Sequence, residues 1–208
     1  MNFSYKTMGN VLKAFLVVEV VITGLLVITA FFYTYAYPIY ENILIFDQAL
    51  SSLNQIVWVL LIIFYLIWIF KVHVDLKRLN PYYRIKPGGA LARIMIPLYN
   101  LYGMWNIYST MGYYFKGYPA LESLGRKLIK LLPIYYFLYI GTRFLERLIM
   151  EVVIINVNLI LAYYVLDFIS IISMLYVTKT IMQAFNIIEA DYETYLKEEE
   201  ELPKWAIE

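Results

Sequence analysis

The chain has no cysteine and a single histidine, His73. Disulfides, thiolate metal sites and cysteine nucleophiles are thereby excluded, and so is a metal centre built from several histidines. Charge is scarce as well. Only 16% of the 208 residues are Asp, Glu, Lys or Arg, against about a quarter in an ordinary soluble domain. The sequence has no G-x-S-x-G, no H-E-x-x-H and no P-loop, so the short signatures of hydrolase, metalloprotease and nucleotide chemistry are missing. Ser51, Ser52 and Ser123 have no histidine nearby in the chain to activate them. The expectation is a protein that is not an enzyme, with no catalytic residue, no metal ligand and no cofactor.

What the chain has is apolar length. Its hydrophobic share is 62%, and several windows hold the roughly 20 uncharged residues needed to cross a bilayer core of ~30 Å as a helix. The alternating dyads of an outer-membrane barrel do not occur. The runs are apolar on all sides, which favours helices. The fold class expected is all-α: a helical integral membrane protein with four transmembrane helices plus a re-entrant or interfacial helical element.

The spans read from the sequence are about 14–37, 53–70, 127–151 and 157–178. Together with a re-entrant or interfacial segment over 88–115 they make one transmembrane domain, 1–188. Residues 189–208 form an amphipathic extension and acidic tail; they hold eight acids and two lysines, while the rest of the chain is net positive by seven. Phe185, Ile188, Tyr192 and Leu196 recur as one apolar helical stripe. A cleaved signal peptide competes for the first run, but the run is long, carries Glu19 and shows no clear cleavage site. Pro38 ends the first helix, and 38–55 reads as a short loop with Glu41, Asp47 and no base. Trp58 and Trp68 lie near the two ends of the second helix.

Charge placement sets the expected orientation. Residues 71–93 carry Lys71, Lys77, Arg78, Arg84, Lys86 and Arg93 against Asp75 alone, and short loops rich in Lys and Arg stay in the cytoplasm. That puts both termini inside a cell membrane. Residues 94–115 are uncharged and long enough to span. A crossing there would send Lys116, Arg126, Lys127 and Lys130 to the outside. Pro97, Asn100, Gly103, Asn106 and Gly112 also interrupt it, so a segment that enters and returns, or lies in the interface, is preferred. Arg143, Glu146, Arg147 and Glu151 form a charged stripe at the outer end of the third span.

Two carboxylates, Glu19 and Asp167, fall inside spans, where ionisable groups are costly and are functional candidates by default. A proton or ion path through Asp167 competes with a structural hydrogen bond to a neighbouring tyrosine or asparagine, and 22 tyrosines supply partners. Counting rise along each helix places Asp167 near the midplane and Glu19 nearer the cytoplasmic side, so a direct pair is not expected. His73 and Asp75 fall short of a metal site's ligand count. The basic loop is short and flanked by membrane. It suits anionic lipid headgroups and not nucleic acid. A protein partner or a homo-oligomer is the other expected association.

One stretch carries a pattern. Trp68 ends a helix; Lys77, Arg78 and Asn80 follow in a basic loop; Pro87 and Gly88 make a turn; and Pro97-Leu98-Tyr99-Asn100-Leu101 closes the segment. In order and spacing this resembles a bacterial multi-pass membrane family known as domain of unknown function 4328. Gly89 stands where that family usually has tryptophan, and Arg93-Ile94-Met95-Ile96 where it usually has aromatics. The resemblance implies a multi-pass bacterial membrane protein without an assigned activity, and it carries no catalytic residues over. The leading expectation is a non-enzymatic membrane scaffold or interaction module. The rival is a small transporter or channel using 94–115 and Asp167.

Overall fold

In lipid, each backbone N–H and C=O must find its partner within the segment that carries it, so long uncharged runs become helices. The structure, a computed structural model, describes residues 4–96, 99–151 and 156–201, with side chains described through Asp191. In chain order the helices are α1 (Tyr5–Tyr35), α2 (Tyr37–Leu79), α3 (Pro87–Met95), α4 (Tyr99–Lys116), α5 (Glu122–Glu151) and α6 (Val157–Glu201), with a short 3-10 turn at Pro119–Leu121. Among the described residues, four segments are long and apolar enough to cross a membrane: Tyr5–Tyr35, Tyr37–Leu79, Pro119–Glu151 and Val157–Asp191. The chain is an all-α helical membrane protein.

The expected loop over 38–55 is absent. Ala36 alone separates α1 from α2. Pro38 falls in the first turn of α2, where its missing N–H has no intrahelical partner to lose. One of the two acids that suggested a loop, Asp47, serves the helix pair instead. Asp47 accepts hydrogen bonds from Thr29 Oγ1 at 2.5 Å and from Tyr40 Oη at 2.9 Å, which clasps α1 to α2 at that end.

The helices close into a ring in the order α2, α1, α6, α5, α4, α3 and back to α2. Antiparallel registers are fixed by a few contacts. Phe15 meets Phe64 with ring centroids 4.7 Å apart across α1–α2. A Cβ added at Gly9 would stand 3.1 Å from Met182 Sδ, and one at Gly24 would stand 3.2 Å from Phe168, so α1 and α6 pack closely. Lys127 Nζ lies 4.2 Å from the centre of the Tyr176 ring across α5–α6.

Most of the core lies toward one end of the ring. Trp68, Tyr5, Phe115, Tyr108 and Phe185 are its largest fully buried side chains. A smaller cluster of Ile22, Leu26, Leu50 and Val57 fills the other end. Trp68 is a core residue: it is wholly buried, and a Cβ at Gly9 would come within 3.0 Å of its Nε1. Asp75 is buried too. It accepts the Tyr5 backbone N–H at 2.9 Å and the Ser4 hydroxyl at 3.2 Å. An acid on α2 thus satisfies a donor that the first turn of α1 leaves open.

Candidate functional site

The segment between α2 and α5 is built from the loop upward. Asn80 ends α2: its N–H still donates to Leu76 O at 2.9 Å, while its Oδ1 accepts the Tyr82 N–H at 2.9 Å. That side-chain turn directs the chain back toward the bundle. Tyr83 and Ile85 point inward and are buried, and Tyr82, between Pro81 and Tyr83, is 93% exposed. Pro87 then opens α3 at the position where proline is best tolerated. Nothing lies within 4 Å of a Cβ added at Gly88, so that glycine is not required by any close approach.

α3 and α4 form an antiparallel helical hairpin. Its two feet lie at the same end of the ring, because Tyr83, before α3, meets Tyr114, late in α4, with ring centroids 5.3 Å apart. Its far end reaches well along α5: Tyr136 Oη donates to Leu101 O at 2.5 Å and Tyr139 Oη to Asn100 Oδ1 at 3.2 Å. Those partners stand 14 to 17 residues beyond the start of α5, or about 21–26 Å at 1.5 Å per residue. The hairpin enters the ring and returns without crossing it. Pro97, the residue expected to break the segment, lies outside the described residues, as does Leu98.

Helical spacing explains how α4 is seated. Met104, Ile107, Tyr108, Met111 and Phe115 recur every three or four residues and are buried. Tyr108 exchanges a 2.8 Å hydrogen bond with Tyr65 of α2, and its ring packs edge-on against Tyr135 of α5 at 5.8 Å. Two glycines set the approach to α5. A Cβ at Gly112 would stand 2.8 Å from Ile129, and one at Gly125 would stand 2.7 Å from Gly112 O.

Arg93, read from the sequence only as one more base, turns out to be the hairpin's internal staple. Its Nε donates to Asn106 Oδ1 at 2.9 Å, its guanidinium also donates to Gly89 O at 2.8 Å, and it lies 5.7 Å from the Tyr99 ring centre. Asn106 in turn donates to Tyr102 Oη at 3.3 Å. Gly103 lets α4 approach so near that a Cβ there would collide with the Arg93 carbonyl. A signal for this was present in the sequence: one arginine flanked by apolar residues, thirteen residues before an asparagine in an uncharged run.

His73 sits beneath the hairpin foot. It is fully buried, its Nδ1 is 2.8 Å from Ile69 O, and its Nε2 has no hydrogen-bond partner among the described residues. Tyr83 packs beside it at 5.8 Å. Burial, and then the neighbouring Tyr114, push the Tyr83 hydroxyl well above its ordinary value, so it stays neutral.

The two intramembrane carboxylates lie elsewhere. Glu19 is wholly buried in α1, and neither carboxylate oxygen has a hydrogen-bond partner among the described residues. The α1–α6 register set by Gly9–Met182 and Gly24–Phe168 places Asp167 about a turn and a half from the level of Glu19 along the helix pair. No hydrogen bond joins them among the described residues. Asp167 is half-buried on α6, next to Leu166, which packs at Gly141 of α5. Of the candidate residues, Asn80, Pro87 and Gly88 lie at the hairpin's foot and Asn100 at its far end, Trp68 packs against Tyr65 and at Gly9 in the core, and Glu19 and Asp167 lie on α1 and α6. No family model matches the chain, and no curated protein and no solved structure matches it.

Proposed function

We propose that this protein is a non-enzymatic membrane scaffold or interaction module that offers its basic loop to a partner. The observation that carries the reading is how the hairpin's polar side chains are used. Arg93, Asn106 and Tyr102 bond one another, Asn100 is held by Tyr139, and Tyr65 is paired with Tyr108. The loop just before the hairpin is offered outward: Arg84 and Lys86 are exposed around Tyr82, while Arg78, also exposed, pairs with the buried Asp75 at 3.5 Å, and a rigid aromatic among cations is a common anchor for association. In this reading the loop faces the cytoplasm of a bacterial cell, both termini lie on that side, and anionic headgroups or a second copy of the chain are further contacts of the same face.

The rival is a small transporter or channel working through 94–115 and Asp167. It needs a watery path that joins Asp167 to Asn100 or Asn106. Tyr139, which holds Asn100, lies 5.9 Å from the guanidinium of Arg143, one turn further along α5, and Arg143 bears electrostatically on Asp167, so such a path would have to run past that cation. The test is photocrosslinking in living cells, with a benzophenone amino acid placed at Tyr82 and, as a control, at the exposed Ile45 of the opposite end. A discrete protein adduct from position 82 alone supports the scaffold. No protein adduct from 82, together with ion flux in proteoliposomes that Asp167→Asn abolishes, establishes the transporter in its place.

A further inference from the structure

At the same end of the ring as the hairpin's feet, α1 and α6 enclose a groove of about 270 Å³ that the hairpin does not touch. Lys6, Asn10 and Lys13 line it from α1, and Lys179, Gln183 and Asn186 from α6. Each trio follows the spacing i, i+4, i+7, so each is a single stripe on its helix. The buried side chain of Met182 forms the floor. Two stripes of donors thus face each other across an antiparallel pair.

The donors are unequally used. Lys6 Nζ is 3.0 Å from Glu189 Oε2, and Asn186 Oδ1 accepts the Tyr5 hydroxyl at 2.9 Å, which leaves the Asn186 amide to donate. Among the described residues no carboxylate pairs with Lys13 or Lys179. The packing of Met182 at Gly9 and of Phe168 at Gly24 brings Lys13 and Lys179 to about the same height. That height is a boundary: the apolar run of α1 begins after Lys13, and that of α6 ends before Lys179. Beyond it, Val17 and Val21 on α1 and Ile172 on α6 are exposed, one or two turns from the two lysines.

We propose that this groove binds the phosphate headgroup of an anionic phospholipid, whose acyl chains run along the exposed apolar side chains of α1 and α6. The charge suits a phosphate, because Lys6, Lys13 and Lys179 outnumber Glu189. The groove is open on one side and has room for a phosphate headgroup. The apolar continuation separates a lipid from free phosphate, which has no use for it. The groove is distinct from the basic loop and does not depend on the scaffold reading; failure of crosslinking at Tyr82 leaves it untouched.

The test is native mass spectrometry of the full chain in detergent, titrated in turn with dioleoylphosphatidylglycerol, dioleoylphosphatidylcholine and inorganic phosphate. Phosphatidylglycerol is expected to stay bound where phosphatidylcholine does not. The double variant Lys13→Gln/Lys179→Gln should weaken it by about 30-fold, from two lysines' worth of headgroup attraction. Arg84→Gln/Lys86→Gln in the basic loop should leave it unchanged. Glu189→Gln removes the carboxylate that competes for Lys6 and should tighten binding, a gain that misfolding cannot mimic. Equal retention of the two lipids, or no effect of either groove variant, overturns the proposal. Displacement of phosphatidylglycerol by inorganic phosphate at equal concentration overturns the lipid and assigns the groove to a soluble phosphate.

Discussion

Glu19 is the residue whose position is hardest to justify by stability alone. It is 0% exposed, and its side chain has no hydrogen-bond partner among the described residues. Moving a carboxyl from water into such a place costs several kcal/mol unless a partner compensates. Leu16 and Ile22, three residues to either side of it on α1, are buried and apolar, and Asp167 of α6 adds the repulsion of a second carboxyl. Glu19→Met, which keeps the length and drops the polar atoms, should therefore stabilise the folded chain by about 1–3 kcal/mol. Thermal unfolding in detergent reads this directly. A variant less stable than the parent would mean that the carboxyl has a partner supplied by another chain or by a bound ion. The sequence identified Glu19 as a buried acid, because an isolated charge in an apolar run is visible to any reader. It could not show that Asp75, a neighbour of His73 with no special pattern, caps α1 from a helix seventy residues away. Tertiary capping leaves no local signature.

Among the elements, the hairpin shows how much spacing reveals and where it stops. The bases on both sides of 94–115 are why a returning segment was expected there, and the hairpin of α3 and α4 has that shape. That it is two helices stapled by Arg93 was not legible, because the bond to Asn106 joins residues on two different helices. The same gap explains the missing loop at 38–55. Asp47 looks like a loop residue on its own, and only Thr29 on the partner helix reveals why a helix holds it there. The glycines give the sharpest contrast. Gly88 belongs to the sequence motif, yet a Cβ there meets nothing within 4 Å. Gly125 belongs to no motif, and a Cβ there would meet the backbone of α4, 2.7 Å from Gly112 O and 2.8 Å from Lys116 Cα. Backbone cannot step aside as the tip of a side chain can. Gly125→Ala should thus destabilise the fold by about 1–3 kcal/mol, the usual cost of overpacking, while Gly88→Ala should fall within about 0.5 kcal/mol of the parent. Equal effects of the two substitutions in a detergent melt would show that α4 and α5 do not pack as described.

On the scale of the whole molecule, four long helices stand in a row, α2, α1, α6 and α5, and the hairpin closes that row into a ring. Closure happens only from the end where Tyr83 meets Tyr114, which is why the large core cluster lies there and the small one lies opposite. Two consequences follow for topology. Tyr82 and Tyr118 must share a side of the membrane, since the segment between them returns to where it began. Glu41, at the α1–α2 junction, must lie on the other. All three are exposed, and the absence of cysteine makes each single-cysteine variant its own clean probe. With a membrane-impermeant maleimide on intact cells, Glu41→Cys should label, and Tyr82→Cys and Tyr118→Cys should label only after the membrane is opened. Labelling of 82 and 118 together with 41 protected would reverse the orientation and keep the hairpin. Labelling of 118 without 82 would mean that 94–115 crosses the membrane. In that event the ring would be broken, and Lys116 and Arg126 would stand on the side opposite Arg78 and Arg84, against the charge bias that orients the rest of the chain.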